Sequence, residues 1–419
     1  MFKFIHCADL HLDSPLRGLS AKPDAPVDEI RSATRRALEN LVELCISESV
    51  SFLIIAGDVY DGDWPDYSTG LFFNSQMAKL KEHGIPVYLI RGNHDAQSQI
   101  TRRLTMPENV YEFPVDKPAT KILELKEDQV AIHGQGYKER EVLQNLTPYY
   151  PDPLPNYYNI GILHTSLEGH EGHEPYAPCR LDDLITKGYD YWALGHIHKR
   201  QIFSENPHIL YPGNIQGRHI KETGKKGCTL VTVNGKETLI EHRVLDVLRW
   251  FECMVDLSNV HNDSQFIDVL SEKFTEIVED NIGYPLAIRV QLIGNTKLHQ
   301  DIIQDQEKYR HEIMNAANMV SSQIWIEKVK FNTEFLSEDS TRSEQNKALS
   351  KLIQSSNFTD LDEAFIQDFL SHVQSIQPKL SSYMKRNDAT KIEREDQLQS
   401  LVKDAQDLLL ALLLKGGKS

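Results

Sequence analysis

Five short segments that carry Asp, His or Asn each follow an apolar run in the first 200 residues, and they constrain the fold more than any other feature of the chain. They are Asp9-Leu10-His11, Gly57-Asp58-Val59-Tyr60-Asp61, Gly92-Asn93-His94-Asp95, His164 and Gly195-His196-Ile197-His198. The apolar runs have the length of buried strands. Because ligands bind outside the carboxyl ends of strands in α/β sheets, the five segments are predicted to converge on one site.

The segments between these strands indicate an α/β domain over residues 1–248. Apolar residues recur at helical spacing over 30–47 and 67–83, and a short apolar run follows each pattern, at 52–56 and 87–90. Strands that alternate with helices predict a layered α/β fold. Strand patterns predominate later in the domain, which predicts a core of two mixed sheets.

A second, smaller domain is predicted over residues 249–336. Its strand, helix, strand, helix and strand patterns fall at 251–257, 264–279, 285–293, 298–319 and 324–331. Residues 337–419 contain three helical patterns, and the last has its leucines on one side. An apolar helix face needs a covering surface, so this helical C-terminal region either packs on the chain itself or docks a partner.

The composition is that of a globular protein, with 40% apolar and 25% charged residues among 419. The net charge of -16 argues against a broad basic surface that grips nucleic acid. The longest apolar run, 408–414, is far shorter than the roughly 20 residues of a membrane helix, and no signal peptide is visible. Five scattered cysteines without a C-x-x-C pair favour reduced thiols. We therefore expect a cytoplasmic protein without a membrane partner.

The donor types in the five segments suit a pair of divalent cations. Such a pair requires imidazoles, terminal carboxylates or amides, and one carboxylate that bridges both ions. His196 and His198 follow a strand in an H-x-H pair, so their rings point to opposite sides and can reach different ions. A single segment is not specific, because Gly-Asp and Gly-Asn pairs also mark ordinary turns. The five together, in this order, predict a dinuclear metal site.

The order D-x-H, GD-x-x-D, GNHD, H and GH-x-H resembles that of the calcineurin-like metallophosphoesterase family. Within that family the chain is similar to the SbcD branch of DNA-repair exonucleases and to its YhaO-like members, beginning with Phe4-Ile5-His6-Cys7-Ala8-Asp9-Leu10-His11-Leu12-Asp13. The resemblance extends to Leu336. It implies an α/β fold with a two-sheet αββα metallophosphoesterase sandwich and a small βαβαβ capping domain that contacts DNA.

The resemblance also implies the roles of the site residues. One metal ion would be held by Asp9, His11 and His198, the other by Asn93, His164 and His196, and Asp58 would bridge the two. His94 and Asp61 would be the catalytic residues. His94 would face the scissile phosphate and stabilise charge or protonate the leaving oxygen, while Asp61 would orient its ring. Some nucleases of the SbcD branch carry His at the position of Asp61.

The activity that the resemblance implies is phosphodiester hydrolysis by a water that two divalent ions, Mn²⁺ by family, activate. The chain would be a DNA exonuclease subunit in repair and a homodimer, and its C-terminal helices would hold an SMC-like (SbcC-type) ATPase. One alternative is a phosphodiesterase or phosphatase for small nucleotides, since function depends on the surroundings of the site rather than on the fold. A second alternative is a non-catalytic scaffold of a repair complex, against which the intact ligand set and His94 count.

Other polar residues have simpler interpretations. The residues expected to be structural are His6, Cys7, His133 and His219, and those expected in a rim loop are His170 and His173. A basic cluster follows the GH-x-H motif and consists of Lys199, Arg200, Arg218, Lys221, Lys225 and Lys226. This cluster either contacts DNA phosphates beside the site or forms an ordinary solvated face.

Overall fold

The computed structural model of the chain describes residues 1–14, 27–61, 67–97, 104–167 and 176–335. These residues divide into two units. The first consists of Met1–Glu252, Asn281–Arg289 and Gln323–Lys328, and the second of Cys253–Asp280, Val290–Ser322 and the described residues from Val329 onward. The helical region predicted over 337–419 and the loop predicted at His170 and His173 lie outside the described residues.

Two mixed sheets of six strands each form the first unit. In spatial order the first sheet contains β12 (Glu237–Val244), β11 (Gly227–Asn234), β1 (Phe2–Cys7), β2 (Phe52–Ile55), β3 (Val87–Leu89) and β4 (Val110–Glu112). The second contains β5 (Ala119–Glu124), β6 (Gln129–Gly134), β7 (Tyr158–His164), β8 (Tyr191–Gly195), β10 (His208–Tyr211) and β9 (Gln201–Glu205). Strands β1 to β4 are parallel, and so are β6, β7, β8 and β10. The parallel strands of each sheet therefore end at one edge.

Alternate residues of the strands face different layers, because side chains alternate across a pleated strand. The described residues of this unit include the α-helices α1 (Val27–Ser47), α2 (Ser68–Glu82), α3 (Asn93–Gln97) and α4 (Leu181–Thr186). In β1, Ile5 packs against α1 and α2, whereas Phe4 lies in the core between the sheets. In β8, Tyr191 belongs to the core between the sheets, and Trp192 packs on the outer side with α4. The predicted αββα layering is confirmed.

The predicted strand and helix series of the smaller domain is present with one correction. Its elements are β13 (Arg249–Asp256), α5 (Asp263–Glu279), β14 (Leu286–Thr296), α6 (His299–Gln304), α7 (Gln306–Val320) and β15 (Ile324–Phe335), and the strands lie in the order β13-β14-β15. The prediction of a single helix over 298–319 is wrong, because the backbone leaves the helical conformation at Asp305 (φ -140°, ψ 67°). The Asp305 carboxylate accepts from the backbone N of Lys308 at 3.0 Å and caps the second helix. A membrane-spanning helix is not found in any of the described ranges.

Candidate metal centre

The nine predicted site residues meet where parallel strands of both sheets end. From the first sheet, Asp9 and His11 follow β1, Asp58 and Asp61 follow β2, and Asn93 and His94 begin α3 after β3. From the second sheet, His164 is the last residue of β7, and His196 and His198 follow β8. The site therefore takes its donors from both sheets of the first unit.

Asp9, His11 and His198 form one cluster of donor atoms. Nε2 of His11 lies 3.1 Å from Nε2 of His198, which in turn lies 3.9 Å from Oδ1 of Asp9. Asp9 and His11 are buried. Donors of these three residues lie within 4.8 Å of one another, close enough to hold one metal ion. This is the trio that the resemblance assigns to one ion.

Asp58 lies between this cluster and a second one. Its Oδ2 is 3.8 Å from Nε2 of His11 and 3.4 Å from Nε2 of His164. Nε2 of His164 is also 3.0 Å from Oδ1 of Asn93, and the His164 ring lies 5.2 Å from the ring of His196. The Asp58 carboxylate thus reaches donors on both sides, as a bridging ligand must.

Hydrogen bonds at the far side of two rings direct their Nε2 atoms into the site. Nδ1 of His164 lies 2.9 Å from the carbonyl oxygen of Ala56, and Nδ1 of His198 lies 2.7 Å from Oε1 of Glu222. Both oxygens only accept, so each contact favours a proton on Nδ1 and leaves Nε2 as the ring nitrogen that faces the site. Rings held in this way are typical of histidines that bind metal ions, and the donor set fits divalent cations.

The backbone is strained at four of the predicted ligands. Asp9, His11, Asp58 and His196 have positive φ values of 54°, 43°, 53° and 104°. In residues other than glycine such conformations cost about 1–3 kcal/mol each and cluster at functional sites. The fold therefore places these side chains at a cost in stability, which supports a functional site here.

Two of the motif glycines are required by close packing. A Cβ atom on Gly195 would overlap the carbonyl oxygen of Ala56 and lie 2.9 Å from Nδ1 of His164. A Cβ atom on Gly92 would overlap the carboxylate of Asp58. The Gly-His and Gly-Asn pairs of the sequence thus reflect loops that pack directly on ligand side chains.

Asp95, the last residue of the GNHD segment, ties two ligand loops together. Its carboxylate accepts from the backbone N atoms of Val59 at 3.2 Å, Tyr60 at 3.0 Å and Gly92 at 3.1 Å. Burial, and then the charge of Asp58, raise the pKa of Asp95 to about 7. Asp95 therefore positions the loops that carry the donors.

Asp58 and His164 form a coupled pair of charged groups. Burial acts to lower the pKa of His164, but the carboxylates of Asp58 and Asp9 outweigh it and raise that pKa to about 9. Burial acts to raise the pKa of Asp58, whereas the neighbouring histidines, His164 first, hold it below its usual range. Burial lowers the pKa of His11 to about 3. At neutral pH, Asp58 is therefore a carboxylate that attracts cations, and His11 is the neutral imidazole that can bind one.

His94 lies at the exposed edge of the cluster. Its side chain is 32% exposed, and its Nδ1 is 3.2 Å from Oδ1 of Asp61. The ring of His94 is 4.9 Å from the ring of His11, and its backbone N donates to Oδ1 of Asp58 at 2.9 Å. The predicted pair of His94 and Asp61 is in contact, and one ring nitrogen of His94 also lies within 4.8 Å of donors of His11 and Asp58.

Glu222 is a site residue that the sequence reasoning missed. It is 5% exposed, and its carboxylate contacts the ring of His198. The one signal in the sequence is an acidic residue inside the basic cluster that follows the GH-x-H motif. Two residues of that cluster are engaged within the fold. Arg218 contacts the carboxylates of Glu222 and Asp61, and the buried Lys226 donates to the carbonyl oxygen of His198 at 3.0 Å.

Histidines interpreted as structural are held by the fold. His6 is buried, with Nδ1 3.0 Å from the hydroxyl of Tyr191 and Nε2 3.1 Å from the carbonyl oxygen of Leu194. His133 is buried and bonded at both ring nitrogens. His219 lies nearer the site than expected, with Nε2 3.5 Å from Oε1 of Glu222. The five cysteines, Cys7 among them, are buried and form no disulfide.

The profiles of two families match parts of the chain. The profile of the family described as calcineurin-like phosphoesterase matches residues 2–200, and the profile described as metallophosphoesterase YhaO, middle domain, matches residues 250–334. The chain is 39% identical over 294 residues to the uncharacterized metallophosphoesterase YhaO of Bacillus subtilis, covering 70% of this chain and 71% of that protein.

More distant relatives are two proteins named DNA double-strand break repair protein Mre11. One, from Sulfurisphaera tokodaii, is 26% identical over 65% of this chain and 69% of its own length. The other, from Sulfolobus acidocaldarius, is 22% identical over 88% of this chain and 94% of its own length. With a donor cluster at the tips of both sheets and high identity to YhaO over most of both chains, this chain belongs to the calcineurin-like metallophosphoesterase family.

Proposed function

We propose that the chain is a divalent-metal-dependent DNA nuclease, an exonuclease of DNA repair that hydrolyses phosphodiester bonds. The observation that carries the proposal is the cluster of buried Asp and His donors beside the accessible His94. Family membership sets the broad class, a metallophosphoesterase hydrolase. Similarity to two proteins named for DNA double-strand break repair favours DNA as the substrate.

Two divalent ions would occupy the centre. We assign Asp9, His11 and His198 to one ion, Asn93, His164 and His196 to the other, and Asp58 to both. The position of the Asp58 carboxylate between His11 and His164 supports this assignment. We propose Mn²⁺ as the metal, since mixed nitrogen and oxygen donors accept it and metal choice at such sites follows availability as much as affinity.

Bound ions would supply the positive charge that activates a water and stabilises the phosphoryl oxygens. The residues of the chain have separate tasks in this proposal. Asp61 accepts from Nδ1 of His94, which leaves Nε2 as the ring nitrogen available to a substrate. When protonated, His94 would donate to the leaving oxygen or stabilise charge on the phosphate. Asp61 would keep the ring in that orientation.

We assign the remaining roles by segment. Residues 1–248 would form the catalytic domain, 249–336 a capping domain that contacts DNA, and 337–419 a helical region that docks an SMC-like (SbcC-type) ATPase. The net charge of -16 suits a chain that leaves much of the DNA grip to a partner. A homodimer in the cytoplasm completes the proposal, and five buried cysteines that form no disulfide suit a reducing compartment.

The proposal is tested by hydrolysis of end-labelled DNA and of bis-p-nitrophenyl phosphate with Mn²⁺. Asp58→Ala and His94→Ala are compared with the wild-type chain and with His83→Ala, a control at an exposed histidine that ends α2. We expect both site substitutions to abolish DNA degradation and the control to have no effect. Metal analysis should show loss of metal from Asp58→Ala and retention in His94→Ala.

Two other outcomes would replace the proposal with an alternative. Turnover of the small ester without DNA cleavage, even with a candidate ATPase added, would favour a phosphodiesterase for small nucleotides. Metal binding without turnover of either substrate would favour a non-catalytic scaffold.

A further inference from the structure

A loop after β10 carries an acidic side chain into the candidate metal centre. Glu222 is 5% exposed, and its Oε1 lies 2.7 Å from Nδ1 of His198. The same oxygen accepts from Nη2 of Arg218 at 3.0 Å. Oε2 accepts from the backbone N of Arg218 at 2.8 Å and from Nδ2 of Asn214 at 2.9 Å. The carboxylate therefore has four donors around it and a fixed orientation.

The contact with Glu222 indicates which nitrogen of His198 can bind a metal ion. A carboxylate only accepts, and at 2.7 Å it lies nearer Nδ1 than the donating Nη2 of Arg218 does at 3.1 Å, so it favours a proton on Nδ1 and leaves Nε2 to face the site. Nε2 is the atom that lies 3.1 Å from Nε2 of His11 and 3.9 Å from Oδ1 of Asp9. Without Glu222, the ring could turn or adopt the other tautomer, and its lone pair would leave the cluster.

The loop also holds the backbone of His198. The carbonyl oxygen of His198 accepts from Nζ of Lys226 at 3.0 Å and from the backbone N of Asn214 at 3.3 Å. Asn214 and Glu222 are themselves joined by a hydrogen bond. The same segment of the chain therefore forms hydrogen bonds with both the ring and the backbone carbonyl of His198.

Arg218 links Glu222 to Asp61, which lies beside His94. Its Nη2 bonds to Oε1 of Glu222, and its Nη1 lies 3.6 Å from Oδ1 of Asp61, the oxygen that contacts His94. The side chain of Arg218 is only 12% exposed. The guanidinium therefore lies between two carboxylates. One is that of Glu222 beside His198, and the other is that of Asp61 beside His94.

We propose that Glu222 is a positioning residue that fixes His198 as a metal ligand and that Arg218 holds Glu222 in place. This inference rests on the proposed function, because it takes His198 to bind one of the two ions. Carboxylates that hold the far nitrogen of a ligand histidine commonly change metal affinity roughly 10- to 100-fold when removed. A carboxylate that merely stabilised the loop would change stability without that loss of affinity.

The test is calorimetric titration of the metal-free chain with Mn²⁺ alone. The variants are Glu222→Gln and Glu222→Asp, and the control is Glu327→Gln. Glu327 is also a glutamate paired with an arginine, with a side chain that is 8% exposed, and Arg289 donates to both of its oxygens at 2.7 Å. We expect one of two Mn²⁺ sites to weaken roughly 10- to 100-fold in Glu222→Gln, less in Glu222→Asp and not at all in Glu327→Gln.

The outcomes separate this inference from the function on which it rests. If Glu222→Gln unfolds more easily but binds two Mn²⁺ ions with wild-type affinity, Glu222 is structural and the inference fails alone. If the wild-type chain binds no Mn²⁺, the proposed function fails as well. Should Glu222→Gln not fold, Arg218→Gln replaces it, since that change removes the hydrogen bond from Nη2 to Oε1 of Glu222 while leaving the His198 side chain intact. Unchanged Mn²⁺ affinity in a folded Arg218→Gln variant would overturn the role of Arg218.

Discussion

Oδ1 of Asp61 lies 3.2 Å from Nδ1 of His94, and the hydroxyl of Ser14 donates to the other oxygen of Asp61 at 2.7 Å. The carboxylate is thus fixed from one side and holds the imidazole from the other. Ser14 is buried, whereas the Asp61 side chain is 24% exposed. The orientation of His94 therefore depends on residues that would not touch the substrate.

This arrangement predicts the effect of two substitutions on turnover. Asp61→Ala frees the ring of His94, and the loss of one oriented hydrogen bond should lower kcat about tenfold or more. Ser14→Ala removes a hydrogen bond one step further away, so its effect should be smaller. Turnover of bis-p-nitrophenyl phosphate at saturating Mn²⁺ measures both. A wild-type kcat in Asp61→Ala would contradict an orienting role.

Gly195→Ala should damage the site through packing alone. The added methyl group would overlap the carbonyl oxygen of Ala56 and press on His164, so we expect a destabilisation of about 1–3 kcal/mol and weaker Mn²⁺ binding. Gly84→Ala is a comparison with open space around the new atom and a φ of 70°. Gly84→Ala should destabilise the fold by about 1–2 kcal/mol, because alanine disfavours the left-handed backbone conformation. It should leave Mn²⁺ binding unchanged. Urea denaturation and metal titration distinguish the two, and equal Mn²⁺ affinity in both variants would refute the packing argument.

Because His6 is buried, we expect the protein to lose stability in acid. Burial lowers its pKa to about 3, whereas the unfolded chain has the ordinary value of 6.5. Between these values the unfolded chain binds a proton that the folded chain does not. The free energy of unfolding should therefore fall as the pH falls from about 6.5 towards 3, by up to about 1.4 kcal/mol per pH unit. Above pH 6.5 the contribution of His6 is fully present.

Urea denaturation across this pH range, for the wild-type chain and His6→Gln, checks the prediction. The variant should be less stable at neutral pH, because the hydrogen bonds to Tyr191 and Leu194 are lost, and its stability should depend less on pH. Parallel pH profiles for the two chains would mean that His6 is not the source of the slope.

Removal of metal should lower thermal stability as well as activity. A ligand that binds only the folded state stabilises it by about 2.7 kcal/mol at a concentration of 100 Kd. Scanning calorimetry with Mn²⁺ and with EDTA should show this shift in the wild-type chain and in His94→Ala. Asp58→Ala should lose most of the shift, since its carboxylate lies between both donor clusters. The same Tm with Mn²⁺ and with EDTA would count against the centre.

The parts of the site that follow strands could be predicted because the signal is local. Asp9, Asp58 and His164 each come at the end of an apolar run, and the ends of parallel neighbours necessarily meet. His6 shows the limit of the same logic. It lies inside β1 and faces the second sheet, so its position within the strand, and not its residue type, separates it from the predicted ligands.

Glu222 and Asp305 show what the sequence could not supply. Glu222 lies 24 residues after His198, on a loop without periodicity, and only the folded chain brings the two together. The helical spacing of apolar residues continues across Asp305, so the pattern reads as one helix although the backbone breaks there. Capping by Asp305 competes with helix continuation, and periodicity does not report which of the two prevails.

The origin of the donors in both sheets has a consequence for how the protein is made. Asp9 belongs to the first strand of the chain, whereas His198 follows β8 in the opposite sheet. A nascent chain that has not yet placed β8 beside its neighbours lacks His196 and His198, two of the seven proposed ligands. The complete set of proposed ligands is therefore in place only after the two sheets have packed on each other. A bound ion would then join side chains of both sheets at a late stage of folding. It would slow the separation of the sheets and so lengthen the lifetime of the folded sandwich.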